Sequence, residues 1–302
     1  MKRIVFALLL LVACTLAIMP GACSDTESSS RIVDDLGRPV VTEGEVERIV
    51  SLGPSITEIL FALELGDRVV GVTDWCDYPE EAKSVTKVGS AFPGFDIESI
   101  IGLEPDLILS VAGSVVEELR AYGLQVVVLQ PRDMEGVYRD LELVGMVTKS
   151  EKKASEVAAD LRQRVGDVIA KTSLATDRPK VFYEVDASMN ENKPWTTGYG
   201  TFQDDLINMA GGTNIAAGRS GWYEMSIDEI LDADPAIIIL EDYQYGATAE
   251  SVAARSAWKT LTAVRQGRLY PIEDSDLTCR YGPRLVDGLE TLAAIIHPDL
   301  FP

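Results

Sequence analysis

Apolar and polar positions along this chain fall into short segments that alternate between two periods. Arg48–Leu52, Arg68–Val72, Asp106–Val111 and Gln125–Leu129 are brief, nearly continuous apolar runs, the pattern of buried strands. Between them Ser55–Leu65, Asp96–Leu103 and Val115–Tyr122 carry apolar residues at helical spacing. Ser55 followed by Glu58 predicts an N-cap with a capping box. This βαβα order predicts a mostly parallel sheet with helices on both faces.

The segment Ser150–Ser173 differs. It has no proline, and Val157, Leu161, Val165, Val168 and Ile169 recur at helical spacing. It predicts one helix roughly 36 Å long at 1.5 Å per residue, ended by Arg178-Pro179. A second βα series follows: Lys180–Val185, Thr201–Met209, Ser226–Ala233, Ala236–Leu240 and Arg268–Pro271, with a last helix over Pro283–Ile296. Asp96–Leu109 parallels Ser226–Ile239 at an offset of 130 residues, each an acidic first turn, an apolar helix face, a proline stop and a buried strand. The expected fold is therefore α/β. Two Rossmann-like lobes with mostly parallel sheets, over 48–149 and 175–302, are joined by one long rigid helix over 150–174. Ligands of open α/β sheets sit beyond the carboxyl ends of the strands, so two such lobes share a cleft. A single stiff helix as connector predicts small closure on binding.

Charge narrows the function. Asp and Glu number 48 against 27 Lys and Arg, a net −21 over 302 residues. Such a surface repels nucleic acid. Met1-Lys2-Arg3, the apolar run Ile4–Met19, then Gly21-Ala22-Cys23 and the polar stretch Ser24–Ser30 resemble a bacterial lipoprotein signal. Residues 1–23 are then the signal with Cys23 as acylation site, Cys14 being the alternative, and 24–47 form a tether and leading segment. The mature chain is expected outside the cytoplasm, held by lipid to the outer face of the membrane, or periplasmic. Cys76 and Cys279 can form one disulfide or stay free thiols. Neither CxxC nor a Cys/His cluster occurs, and His297 is the only histidine, so no metal site and no catalytic triad is expected.

The loops after the predicted strands carry aromatic groups: Trp75, Phe92, Phe95, Trp195, Tyr199, Trp222 and Tyr223. Trp258, at a helical position, is expected in the core. Several stretches together resemble the periplasmic binding proteins of cobalamin and ferric-siderophore ABC importers, above all the cobalamin-binding branch. They are Ile49–Glu58, Gly71–Pro79, Glu98–Leu109, Pro194–Gly198, Ala210–Ile215 and Gly282–Leu285. The resemblance implies a corrinoid as transported ligand, with no cofactor and no catalysis. It places ligand-facing aromatics at Trp75, Phe92, Trp195 and Trp222, and an acidic and a basic contact at Asp276 and Arg280, which the residues alone would read as a surface ion pair. Val111 stands where that branch has a further aromatic. Glu98 and Asp228 are equivalent in the repeat, each in a first helical turn where the dipole favours an acid. The resemblance implies that one acid per lobe docks on the permease, with Glu229 beside Asp228 as the alternative. The implied partners are an importer permease with its ATPase and the lipid-anchored membrane, the protein itself being a monomer. A ferric-siderophore or haem receptor is the alternative in the same class. An extracytoplasmic enzyme is the distant one, though no G-x-S-x-G, P-loop or G-x-G-x-x-G occurs.

Overall fold

The computed structural model describes residues 32–40, 44–111 and 113–301. The predicted signal peptide, both leader cysteines and part of the tether lie outside the described residues.

The first half begins with β1 (Ile49–Leu52), α1 (Pro54–Ala62), β2 (Val69–Val72), α2 (Ile97–Gly102), β3 (Leu107–Ser110), α3 (Ser114–Ala121) and β4 (Val126–Val128). Its strands form one parallel sheet in the order β2-β1-β3-β4. Every residue of β1, β3 and β4 is buried, as expected of a sheet covered on both faces. The helix α4 (Met134–Thr148) follows, then α5 (Glu151–Thr172), the long helix that the apolar spacing predicts. The sequence reading did not include α4. Lys149, in the left-handed region at φ 58°, turns the chain between the two helices. They approach closely at Gly145, where a Cβ would lie 2.5 Å from the Ala154 Cβ. Only glycine fits that contact.

The second half comprises β5 (Lys180–Asp186), β6 (Trp195–Thr197), α6 (Phe202–Met209), β7 (Thr213–Asn214), β8 (Trp222–Glu224), α7 (Ile227–Ala233), β9 (Ile237–Leu240), α8 (Ala249–Ala254), α9 (Thr262–Gln266), β10 (Leu269–Pro271), α10 (Asp276–Cys279) and α11 (Leu285–Ile296). Its sheet runs β10-β9-β5-β6-β8, with β7 on β5. β10, β9, β5 and β7 pair in parallel, whereas β6 pairs antiparallel with both β5 and β8. The sequence pattern predicts loops at Trp195 and at Trp222–Tyr223. The structure instead puts them on this β6/β8 ribbon, whose three-residue strands are too short to show a period.

The repeat holds in backbone detail. Asp96 and Ser226 cap α2 and α7 by accepting from the backbone N–H three residues on. Glu104 and Asp234, again 130 residues apart, both take φ 45° just before the prolines. β3 then pairs with β1, and β9 with β5, in parallel.

Strand alternation divides the interior. Ile49, Leu107, Leu109 and Val127 of the first sheet and Val181, Tyr183, Ile237 and Ile239 of the second belong to one continuous core, which α1, α4, α5, α6 and α11 complete. The intervening residues Val50, Ile108 and Val128 face a core restricted to the first half. Phe182, Ile238 and Leu240 face one restricted to the second, together with fully buried Trp258. The shared core couples the two halves through apolar packing. Guanidinium clamps from α5 add to it: Arg162 pairs with Glu135 and Glu142 of α4, and Arg164 with Asp287 and Glu290 of α11. His297 is buried, its Nε2 3.2 Å from the Gly211 carbonyl. Cys76 and Cys279 are free thiols.

Candidate functional site

The two halves enclose a cleft of about 380 Å³ beyond the carboxyl ends of β1, β3 and β4. The first half contributes Ser55, Val111 and Leu129–Arg132; the second contributes Gly200–Phe202, Trp222 and Tyr281. Phe202 and Tyr281 stack there, with ring centroids 4.0 Å apart. A second hollow of about 420 Å³ adjoins it in the first half, lined in part by Pro93–Phe95 and Ser114, and shares Val111. The cleft thus has the apolar lining with sparse polar groups that suits a small-molecule ligand.

None of the predicted aromatics Trp75, Phe92, Trp195 and Trp222 packs into an interior: they are between 41% and 86% exposed. Trp222 lines the cleft itself. Trp195 and Trp222 lie on one face of the β6/β8 ribbon, since Thr197 is the register partner of Trp222 and Trp195 is two residues before it. Tyr199 is exposed where the chain leaves β6, its backbone bonded to Arg219 and Gly221. Phe92 is exposed, while Phe95 is half-buried against the first-half core and lines the second hollow. Val111, at the end of β3, touches both hollows.

Asp276 and Arg280 fall on and just after α10 instead of in a loop. Arg280 spans the halves. Its Nη1 lies 2.7 Å from Asp77 Oδ1 and 3.3 Å from Glu58 Oε1, and its Nη2 lies 2.7 Å from Asp276 Oδ2 and donates to the Trp75 carbonyl. Arg284 adds a second crossing. Its Nη1 is 3.5 Å from Glu58 Oε1, its Nη2 bonds Asp274, and its guanidinium lies 4.0 Å above the Tyr78 ring. Backbones also approach here, a Cβ on Gly282 falling 3.1 Å from the Ser55 carbonyl. Both guanidinia are therefore engaged with carboxylates, and the pair is an ionic latch between the halves.

Glu58 corrects the capping-box reading. Pro54 occupies the first helical turn and Gly53 is the N-cap, with no side-chain cap. Ser55 is thus inside α1, and Glu58 projects to the interface at 3% exposure. Burial pushes its carboxyl up to about 7, against the pull of Arg284 and Arg280. Oε2 has no hydrogen-bond partner among the described residues. Sequence reasoning assigned no role to Arg284, Phe202 and Tyr281. The one local signal was a charged residue, Glu58, amid the buried Ile56, Thr57, Ile59 and Leu60 of α1.

The expected docking acids are both exposed, Glu98 in the first turn of α2 and Asp228 in that of α7. Glu229 is occupied: it closes the capping box on Ser226, accepting from its N at 2.9 Å and its Oγ at 2.7 Å, and it pairs with Arg219.

A family model described as periplasmic binding protein matches residues 49–275. The chain is 34% identical, over 98% of both chains, to an uncharacterized ABC transporter substrate-binding lipoprotein, YvrC, of Bacillus subtilis (strain 168). It is 30% identical to the vitamin B12-binding protein of Yersinia pestis (strain Pestoides F), over 66% of this chain and 70% of that one. The periplasmic heme-binding protein RhuT of Roseiflexus sp. RS-1 superimposes with a TM-score of 0.74 at 24% identity, covering 85% of this chain and all of that one. Two α/β halves around one cleft and a family match over most of the body agree: the chain belongs to the periplasmic binding protein family.

Proposed function

We propose that this protein is the substrate-binding component of an ABC importer and that its cargo is cobalamin or a related corrinoid. The observation that carries the reading is the cleft: an apolar lining shared by both halves, with Trp222 on its wall. Exposed Trp75, Phe92, Trp195 and Tyr199 lie outside that lining, and we assign them as further contacts of a ligand broader than the cleft floor. A corrin is a broad apolar macrocycle fringed with amides, and flat aromatic faces are its natural complement. The vitamin B12-binding relative supports the same cargo. The shared core and the Arg280–Arg284 latch suit a preformed cleft that changes little on filling.

The remaining parts fit delivery. Lobes at 48–149 and 175–302 on a 150–174 strut present Glu98 and Asp228 as the permease-docking acids; Glu229 is already spent on its cap and on Arg219. Acylation at Cys23 holds the monomer to the outer face of the membrane. No helix among the described residues is long and apolar enough to cross a membrane. A haem or ferric-siderophore cargo is the rival reading, favoured by one observation: Tyr199 offers an exposed phenol, a group able to ligate iron, just beyond the ribbon that bears Trp222. Titration calorimetry of the purified protein with cyanocobalamin, dicyanocobinamide, haemin and a ferric siderophore decides. One-to-one corrinoid binding supports the proposal; binding of haemin or the siderophore alone overturns it.

A further inference from the structure

The cations around the cleft differ in whether they are already used. Arg280 and Arg284 are consumed by the latch. Arg219 pairs with Glu229 and stacks at 4.8 Å on Tyr223, and Lys193 pairs with Glu224. Arg132 is exposed, lines the cleft, and has no ion-pair or hydrogen-bond partner among the described residues.

Its backbone, by contrast, is fixed on both sides. Gln130 N donates to Asp35 Oδ2 at 2.6 Å. Pro131 packs against the first turn of α4 so tightly that a Cβ on Gly136 would lie 3.0 Å from it. Asp133 caps that helix, accepting from Gly136 N at 2.7 Å, so its carboxylate is spent there. The surroundings are otherwise acidic. The Asp205 carboxyl of the other half is raised by burial, and then by Asp204 and Asp133. Among the described residues that line the cleft, Arg132 is the one cation, a guanidinium on a braced loop that can receive an anion in a chain of net charge −21. Its planar fork suits phosphate oxygens.

We propose that Arg132 is a specificity-determining residue that takes the anionic phosphodiester of a nucleotide-bearing corrinoid, and so discriminates against corrinoids that lack the nucleotide arm. This rests on the corrinoid reading above. Cyanocobalamin carries that phosphodiester and dicyanocobinamide does not, so the two compounds isolate the contact. Calorimetric titration of wild type, Arg132→Gln and Arg132→Lys with both ligands tests it, at low and high sodium chloride. Arg132→Gln is expected to weaken cyanocobalamin binding about tenfold more than dicyanocobinamide binding, the size of one charge-assisted contact. Arg132→Lys should recover part of the loss, and added salt should shrink the wild-type advantage. Equal effects on both ligands, or none on either, would overturn the role of Arg132 while leaving the corrinoid cargo standing. Binding of neither corrinoid by wild type would bring down both.

Discussion

Replacing Glu58 by Gln tests the ionic latch through its pH dependence. The carboxyl is 3% exposed, its two guanidinium contacts are long at 3.3 and 3.5 Å, and burial raises it from 4.5 to about 7. A rise of about 2.5 pH units at roughly 1.36 kcal/mol each makes ionised Glu58 cost the native state about 3 kcal/mol. The sign follows from linkage. The folded pKa lies above the unfolded one, so the native state binds this proton more tightly. The stabilisation is full below about pH 4.5 and is lost as pH rises through about 7. Glutamine keeps the shape and cannot titrate. Urea unfolding of both proteins between pH 4.5 and 8.5, followed by tryptophan fluorescence, reads the difference directly. Relative to wild type, Glu58→Gln should gain about 3 kcal/mol between the two ends of that range. A difference that stays constant with pH would refute the argument that desolvation outweighs the arginines.

Three other substitutions probe separate parts. Arg255 forms a bidentate pair with fully buried Glu184 at 2.6 and 2.8 Å and lies over Trp258; Arg255→Met strands that carboxylate and should cost roughly 3–5 kcal/mol in chemical unfolding, a loss below about 1 kcal/mol contradicting the pairing. Trp222→Ala removes the indole from the cleft wall and should weaken corrinoid binding by roughly 1–3 kcal/mol, by analogy with a stacked base; an unchanged Kd would take Trp222 out of the site. Glu98→Ala combined with Asp228→Ala should leave the ligand Kd intact yet reduce uptake in cells carrying the importer, and normal uptake would defeat the docking role.

Local physics made much of the fold legible from sequence. Strands buried on both faces write continuous apolar runs, so β1, β3, β4 and β9 were readable. The repeat was visible because both copies need the same acidic first turn, the same left-handed residue before proline and the same buried strand. α4 was obscured by Gly136 and Gly145 and by Asp140, a charged residue that proves buried. The β6/β8 ribbon was hidden because its strands span three residues each. Ser55-x-x-Glu58 satisfied a capping pattern, but Pro54 in the first turn moved the helix start, and the true partners of Glu58 lie more than 220 residues away in sequence. Of the aromatics read from sequence, Trp222 lines the cleft, whereas Phe202 and Tyr281, which stack there, carried no local signal. The commitment of Arg280 and Arg284 to the latch, and the freedom of Arg132, depend on contacts between halves that no local pattern encodes.

The seat of the cargo is located most directly by hydrogen–deuterium exchange with and without whichever ligand of the calorimetric panel binds. Protection should concentrate at Val111, Gln130–Arg132, Gly200–Phe202 and Trp222, on both walls of the cleft at once. Protection confined to one half, or to surfaces away from these segments, would contradict a ligand held between the two.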